Sequence, residues 1–217
     1  MVDCKLYANR RNSARRLSLR AALALLCSVA PIALLARPAD CQSNGKGREA
    51  DSPARNYFTD VELVNQDGKT MRFYSDLLKD RIVIINSFFT TCTSVCPPMT
   101  HSIGKIQDWL GDRLGADVHI ISISVDPETD TPAKLKEYSQ RFKTKPGWFF
   151  CGGAKQNVEF VLRKLGQYFG SRDDHTTIIL IGNLRTGLWK KAMGMARPEE
   201  LIKVVDSVLN DKGENSK

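Results

Sequence analysis

RIVIINSFFTTCTSVCPPMTH, residues 81–101, is the stretch on which the reading of the chain turns. Its first part, RIVIINSFF (81–89), is an unbroken β-branched and aromatic run, the pattern of a strand buried on both faces. Its last part holds two prolines, and Pro98 suits the first turn of a helix. Met99, Ile103, Ile106 and Leu110 share one side of that helix before Gly111 stops it. Between strand and helix lie Cys92 and Cys96. Active sites of open α/β sheets sit at the carboxyl ends of strands, and a helix N-terminus stabilises a nearby thiolate. Pro97 disfavours helical geometry at Cys96, so the intervening Thr-Ser-Val is expected to loop. Such a loop brings two sulfurs to disulfide distance, Cβ atoms about 3.8 Å apart, or splays them around a soft cation. Electron exchange and metal binding both stay open.

The flanking sequence alternates in the same style. FTDVELVNQDGKTMRFY, around Asp67-Gly68, reads as a hairpin. VHIISISV (118–125) is a second buried strand, and DTPAKLKEYSQRF supplies a helix with Thr131 as cap and Leu135, Tyr138 and Phe142 inward. WFF (148–150) is a short strand, and residues 155–169 form a helix with Val158, Val161, Leu162, Leu165 and Phe169 inward. TTIILIGN and GLWKKAM read as a strand pair, and RPEELIKVVDSVLN closes as a helix with proline in its first turn. Strands alternating with helices in this order predict an α/β sandwich of thioredoxin type, a central mixed sheet flanked by helices. There is no internal repeat and no second domain in the pattern.

Charge sharpens the boundaries. The chain of 217 residues carries a formal net charge of +8. Residues 1–37 hold Lys5, Arg10, Arg11, Arg15, Arg16, Arg20 and Arg37 against Asp3 alone, so +6 of it sits there. The remainder is nearly balanced, which argues against a nucleic-acid partner. The arginines run into AALALLCSVAPIALLA (21–36), the pattern of an export signal or membrane anchor. Residues 1–40 are therefore read as a basic leader, 41–55 as a flexible Gly-, Ser- and Pro-rich linker, 56–212 as the folded domain and 213–217 as a tail. With its positive end inside, this leader puts the domain on the periplasmic side of a bacterial inner membrane, soluble after cleavage or anchored. An Arg-rich, acid-poor start also suits import toward the mitochondrial intermembrane space.

Six cysteines and three histidines supply the candidate chemistry. Cys4 and Cys27 lie in the leader, and Cys41, just after it, reads as an incidental linker thiol. Cys151, in WFFC, reads as a core thiol. The domain has no second cysteine pair to complete a zinc site, whereas two thiolates with one imidazole suit copper. His119 opens a buried strand and reads as a core histidine, and His101 faces solvent in the first turn of its helix. His175 precedes the strand after the last long helix. If that strand runs antiparallel to 81–89, its start lies at the edge of the sheet that carries the thiols. Asp173 and Asp174 stand beside it as partners able to orient the imidazole. Met193 and Met195, in MGMA, invite a copper-methionine reading but are expected to pack at a strand end, and Asp126-Pro127 to make a turn and cap.

FFTTCTSVCPPM, ISISVDPETDTPAKL and DDHTTIILI together resemble the signatures of the Sco/SenC family of copper-binding, thioredoxin-like assembly factors, over about residues 56–210. The resemblance implies that Cys92, Cys96 and His175 bind copper, as Cu(I) or Cu(II). It also implies work on the copper site of cytochrome c oxidase or a similar respiratory oxidase. The partners implied are a copper donor protein and the copper-site subunit of the oxidase, with the membrane reached through the N-terminal segment. Thr93, where the family often has proline, and IGNLRTG, in place of an Asp-Pro-Asp-Gly turn, depart from the pattern without touching a ligand. The same two cysteines would also serve a thiol-disulfide reductase acting on a partner's copper-ligand cysteines, for which His175 is dispensable. A peroxide-reducing enzyme is disfavoured, because no threonine and arginine pattern of a peroxidatic site surrounds Cys92.

Overall fold

The structure is a computed structural model that describes residues 52–168, 170 and 177–213. The leader, Cys4, Cys27, Cys41, Asp173, Asp174 and His175 lie outside the described residues. A short helix α1 (Pro53–Phe58) opens the described chain and reaches into the stretch read as linker. It is followed by β1 (Glu62–Asn65), β2 (Thr70–Arg72), a π-helical turn (Phe73–Leu78) and β3 (Ile82–Phe88). Then come α2 (Cys96–Leu110), β4 (Val118–Ser124), α3 (Pro132–Arg141), β5 (Trp148–Gly152) and α4 (Lys155–Lys164). The chain ends with β6 (Ile178–Asn183), β7 (Trp189–Met193) and α5 (Pro198–Leu209).

The strands form one mixed sheet of seven in the order β2-β1-β5-β4-β3-β6-β7. β3, β4 and β5 are parallel neighbours, with Ile84 opposite Ile120 and Ile121 opposite Phe149. β6 runs antiparallel to β3, pairing Ile82 with Asn183 and Ile85 with Leu180. β1 joins β5 antiparallel and carries β2 at that edge, and β7 closes the other edge antiparallel to β6. The expected thioredoxin-like α/β sandwich is the fold found.

Every residue of β3 and β4 is buried, and the period-2 pleat divides them between two cores. Ile82, Ile84 and Ile120 enter one core with Met99, Ile103 and Leu110 of α2, Leu135 and Tyr138 of α3, and Leu201 and Val205 of α5. Val83, Ile85, Ile121 and Ile123 enter the other with Phe58 of α1, the π-helical turn, and Val158, Val161 and Leu162 of α4. β3, β4 and β5 step in one direction, so their crossovers α2 and α3 share a face. The return from β5 to β6 crosses the opposite face, where α4 packs.

Two boundaries differ from the sequence reading. Cys96 is the first residue of α2, and Val95 before it is already right-handed helical at φ −88°, ψ −28°. The penalty that Pro97 imposes on Cys96 is outweighed in a first turn, where the missing proline N–H has no partner to lose. α4 ends at Lys164, ahead of Phe169, because Gly166 turns the chain away at φ +64°. Elsewhere the pattern holds. Gly68 makes the hairpin turn at φ +74°, and Thr131 caps α3 by accepting the Lys134 N–H.

Candidate thiol and metal centre

Residues 89–95 carry the chain from the carboxyl end of β3 into α2, at the end of the sheet where α/β proteins place their chemistry. Cys92 and Cys96 are not bridged in the structure and are 7% and 0% exposed. The Cys96 N–H, at the open end of α2, donates to Cys92 Sγ at 3.4 Å, and the Ser94 hydroxyl lies 4.0 Å from the same sulfur.

These contacts make the two thiols unequal. Burial works against a thiolate at Cys92. It is outweighed by hydrogen bonds from the Cys96 thiol, the Cys96 and Ser94 amides and the Ser94 hydroxyl, and the Cys92 thiol ends below its usual pKa. At Cys96 burial and the bond given to Cys92 act together and push the pKa up to about 12. Of the two, Cys92 has the surroundings that favour a thiolate, and Cys96 those that favour the protonated thiol.

The surrounding loop is tied down by a residue the sequence reading passed over. Asp130 is 1% exposed, at the end of the turn after β4. Its carboxylate accepts the Thr90 N–H at 3.1 Å, the Thr90 hydroxyl, and the Ser124 hydroxyl at 2.6 Å. Thr90 is two residues before Cys92, so this buried anion fixes the start of the thiol loop against β4. The Asp130 N–H donates in turn to the Asp126 carbonyl, which makes 126–130 the expected turn. In DPETDTP an acid among polar neighbours reads as loop, and only its burial singles it out.

A second anchor lies under α2. Thr100 donates its hydroxyl to the Cys96 carbonyl at 2.8 Å and so accepts from the Tyr138 hydroxyl, 3.1 Å away. Tyr138 is 1% exposed, and burial raises its phenol to about 12.

The remaining candidates divide cleanly. His119 is 6% exposed and hydrogen-bonds through Nδ1 to the Leu77 carbonyl at 2.9 Å, as expected for a core histidine. His101 faces solvent on α2. Cys151 is fully buried, and burial raises its pKa to about 12. Met193 and Met195 depart from expectation: they are exposed, and Gly194 between them is the residue that packs. β6 does run antiparallel to β3, which puts Thr177, two residues beyond His175 in sequence, at the thiol end of the sheet. Among the described residues no three His, Cys, Asp or Glu side chains gather into a metal site. The described donor set is thus the two thiols, soft ligands that suit a soft cation.

Residues 49–210 match the SCO1/SenC family model. The SCO1 protein homolog of Bacillus subtilis is 34% identical over 120 residues, 54% of this chain and 61% of that protein. The chain thus spans less than two thirds of that relative's length. Bradyrhizobium japonicum ScoI, solved with copper bound, superposes with a TM-score of 0.57 at 27% identity, covering 68% of this chain and 96% of that one. BsSco is described as a member of the Sco family of cytochrome c oxidase assembly proteins with a disulfide switch. It superposes with a TM-score of 0.57 at 28% identity, over 68% of this chain and 90% of its own. With the family model spanning most of the chain and the thiol pair at the head of α2, this protein belongs to the SCO1/SenC family.

Proposed function

We propose that the protein is a copper-handling assembly factor. Reduced Cys92 and Cys96, together with His175, hold one copper ion as cargo for the copper site of a respiratory oxidase such as cytochrome c oxidase. The observation that carries this reading is the juxtaposition of Cys92 and Cys96 at the head of α2, where the Cys96 N–H donates to Cys92 Sγ. Thiolates favour copper(I), and an added imidazole suits copper(II) as well. The copper held by B. japonicum ScoI supports the same cargo here. Binding requires both thiols to deprotonate. With Cys96 raised to about 12, loading at neutral pH releases its proton and strengthens as pH rises.

The basic, apolar leader supports a place outside the cytoplasm, on the periplasmic side of a bacterial membrane or in the mitochondrial intermembrane space. There a copper donor and the copper-site subunit of the oxidase are the partners. Asp173 and Asp174 are the residues to orient His175.

The unequal thiols favour one further reading, a thiol-disulfide reductase. The Cys92 thiolate attacks one sulfur of a partner disulfide, forming a mixed disulfide and releasing the other partner sulfur as thiolate. Cys96 then loses its proton and attacks Cys92 Sγ. The second partner thiol leaves, and two electrons have passed from the pair to the partner.

One pair of assays separates the readings. His175→Ala should weaken copper(I) binding and remove most copper(II) binding while leaving disulfide reduction unchanged. Cys92→Ser or Cys96→Ser should abolish tight binding and reductase activity alike. If His175→Ala binds both copper states as tightly as the parent, the copper-cargo reading fails and the reductase reading replaces it.

A further inference from the structure

The turn after β7 carries a feature that the thiol chemistry does not use. Met193 and Met195 are 62% and 51% exposed, and among the described residues only Tyr57 and Trp109 join them as exposed large apolar side chains. Burying a methionine gains about 1.5–3 kcal/mol, so two left in water on one turn are conspicuous. Nor is the turn loose. The Ala196 N–H donates to the Met193 carbonyl at 2.9 Å, and the Gly194 N–H to the Thr177 carbonyl at 2.7 Å.

Gly194 packs against the Met99 side chain of α2 and the Thr177 carbonyl. A methyl there would sit 2.5 Å from both the Met99 Sδ and the Thr177 carbonyl oxygen, closer than side-chain carbons come. Met99 follows Cys96 by one turn on the buried side of α2, and both are 0% exposed. The two exposed thioethers therefore stand on a clamped turn. It is braced against the helix that begins with Cys96 and bonded to the residue two past His175.

We propose that Met193 and Met195 form a second, weaker site for a soft monovalent cation, copper(I), outside the thiol pair. A thioether is a neutral, soft donor that favours copper(I) over copper(II) and zinc. It carries no proton to displace and stays a donor when Cys92 and Cys96 are oxidised. The ion enters and leaves as copper(I), with no electron moved. The site stands on these observations alone. Only its role as the place where cargo waits for the thiols rests on the copper reading above.

The test uses the full chain with Cys4, Cys27, Cys41, Cys92 and Cys96 changed to serine and the methionine methyls labelled with carbon-13. Silver(I), a redox-inert soft cation, is the probe. The five methionines are Met1, Met71, Met99, Met193 and Met195. Met193 and Met195 should shift together and saturate near one equivalent. Met71 and Met99, 6% and 0% exposed, should keep their parent positions, which also reports that this variant is folded. Adding Met193→Leu and Met195→Leu keeps the apolar surface but removes both sulfurs, and bound silver should fall at least tenfold.

The proposal is overturned if neither methyl moves, if Met1 shifts in parallel with them, or if the double leucine variant retains the silver. The reduced chain with only Cys4, Cys27 and Cys41 changed to serine gives a second arm. Its first copper(I) equivalent should leave Met193 and Met195 unmoved, and its second should shift them. Loss of the first event alone would overturn the thiol-site reading and leave this one standing.

Discussion

Asp130→Ala tests whether one buried anion holds the thiol loop in place. The substitution removes the acceptor for three donors: the Thr90 N–H, the Thr90 hydroxyl and the Ser124 hydroxyl. Ser124 is 0% exposed, so its orphaned hydroxyl costs about 2 kcal/mol. Thr90 is only half-buried, and water can reach its two donors, which together add about 1–2 kcal/mol. The expected loss is about 3–4 kcal/mol. Asp130→Asn, which keeps one acceptor oxygen, should lose roughly half of that. Urea unfolding of the reduced chain, followed by tryptophan fluorescence, measures both. A loss within about 0.5 kcal/mol for Asp130→Ala, the range of an ordinary surface change, would refute the reasoning.

Four further outcomes follow from the same geometry. With Cys96 at about 12, its thiolate fraction at pH 7 is about one in 10⁵, against about one in 30 for an ordinary thiol. Iodoacetamide should therefore modify Cys92 at least about 10³-fold faster, and equal labelling by peptide mass spectrometry would contradict the assignment of roles. Gly194→Ala must push against Met99 and the Thr177 carbonyl and should cost about 1–3 kcal/mol. Gly104→Ala, on α2 with nothing within 4 Å of the new methyl, should gain about 0.5–1 kcal/mol in the same melts. Cys151, neutral when buried, has a folded pKa of about 12, above its unfolded value. Its contribution is complete below about pH 8.5 and is lost as pH rises toward 12. Cys151→Ala should flatten the alkaline fall in stability by about 1.4 kcal/mol per pH unit across that window, and an unchanged slope would contradict the burial argument.

The sheet and the thiol pair were legible because their signals are strong and local. The run IVIINSF has no polar alternation, so only a strand covered on both faces satisfies it. Met99, Ile103, Ile106 and Leu110 recur at helical spacing and do line the core. The helix start was misjudged at Cys96, where a pairwise rule about the residue before proline met a first turn that tolerates proline. The Cys96 N–H at that open end donates to the Cys92 sulfur. Asp130 was invisible because a carboxylate in a polar turn reads as solvated. Its role comes from Thr90 and Ser124, distant by 40 and 6 positions, brought to it by the β3–β4 pairing. A methionine pair at a strand end suggests packing from sequence, because strand ends often pack. Close approach of Gly194 to Met99 takes the packing position, and the flanking side chains are left outside.

The central claim is that Cys92, Cys96 and His175 hold one copper ion. X-ray absorption of the reduced chain, with Cys4, Cys27 and Cys41 changed to serine and one equivalent of copper(I) added, reads the ligands directly. Two sulfur ligands at thiolate distance and one imidazole nitrogen, with the nitrogen lost in His175→Ala, is the result this account predicts. A spectrum with a single sulfur or none, or one that His175→Ala leaves unchanged, would contradict it.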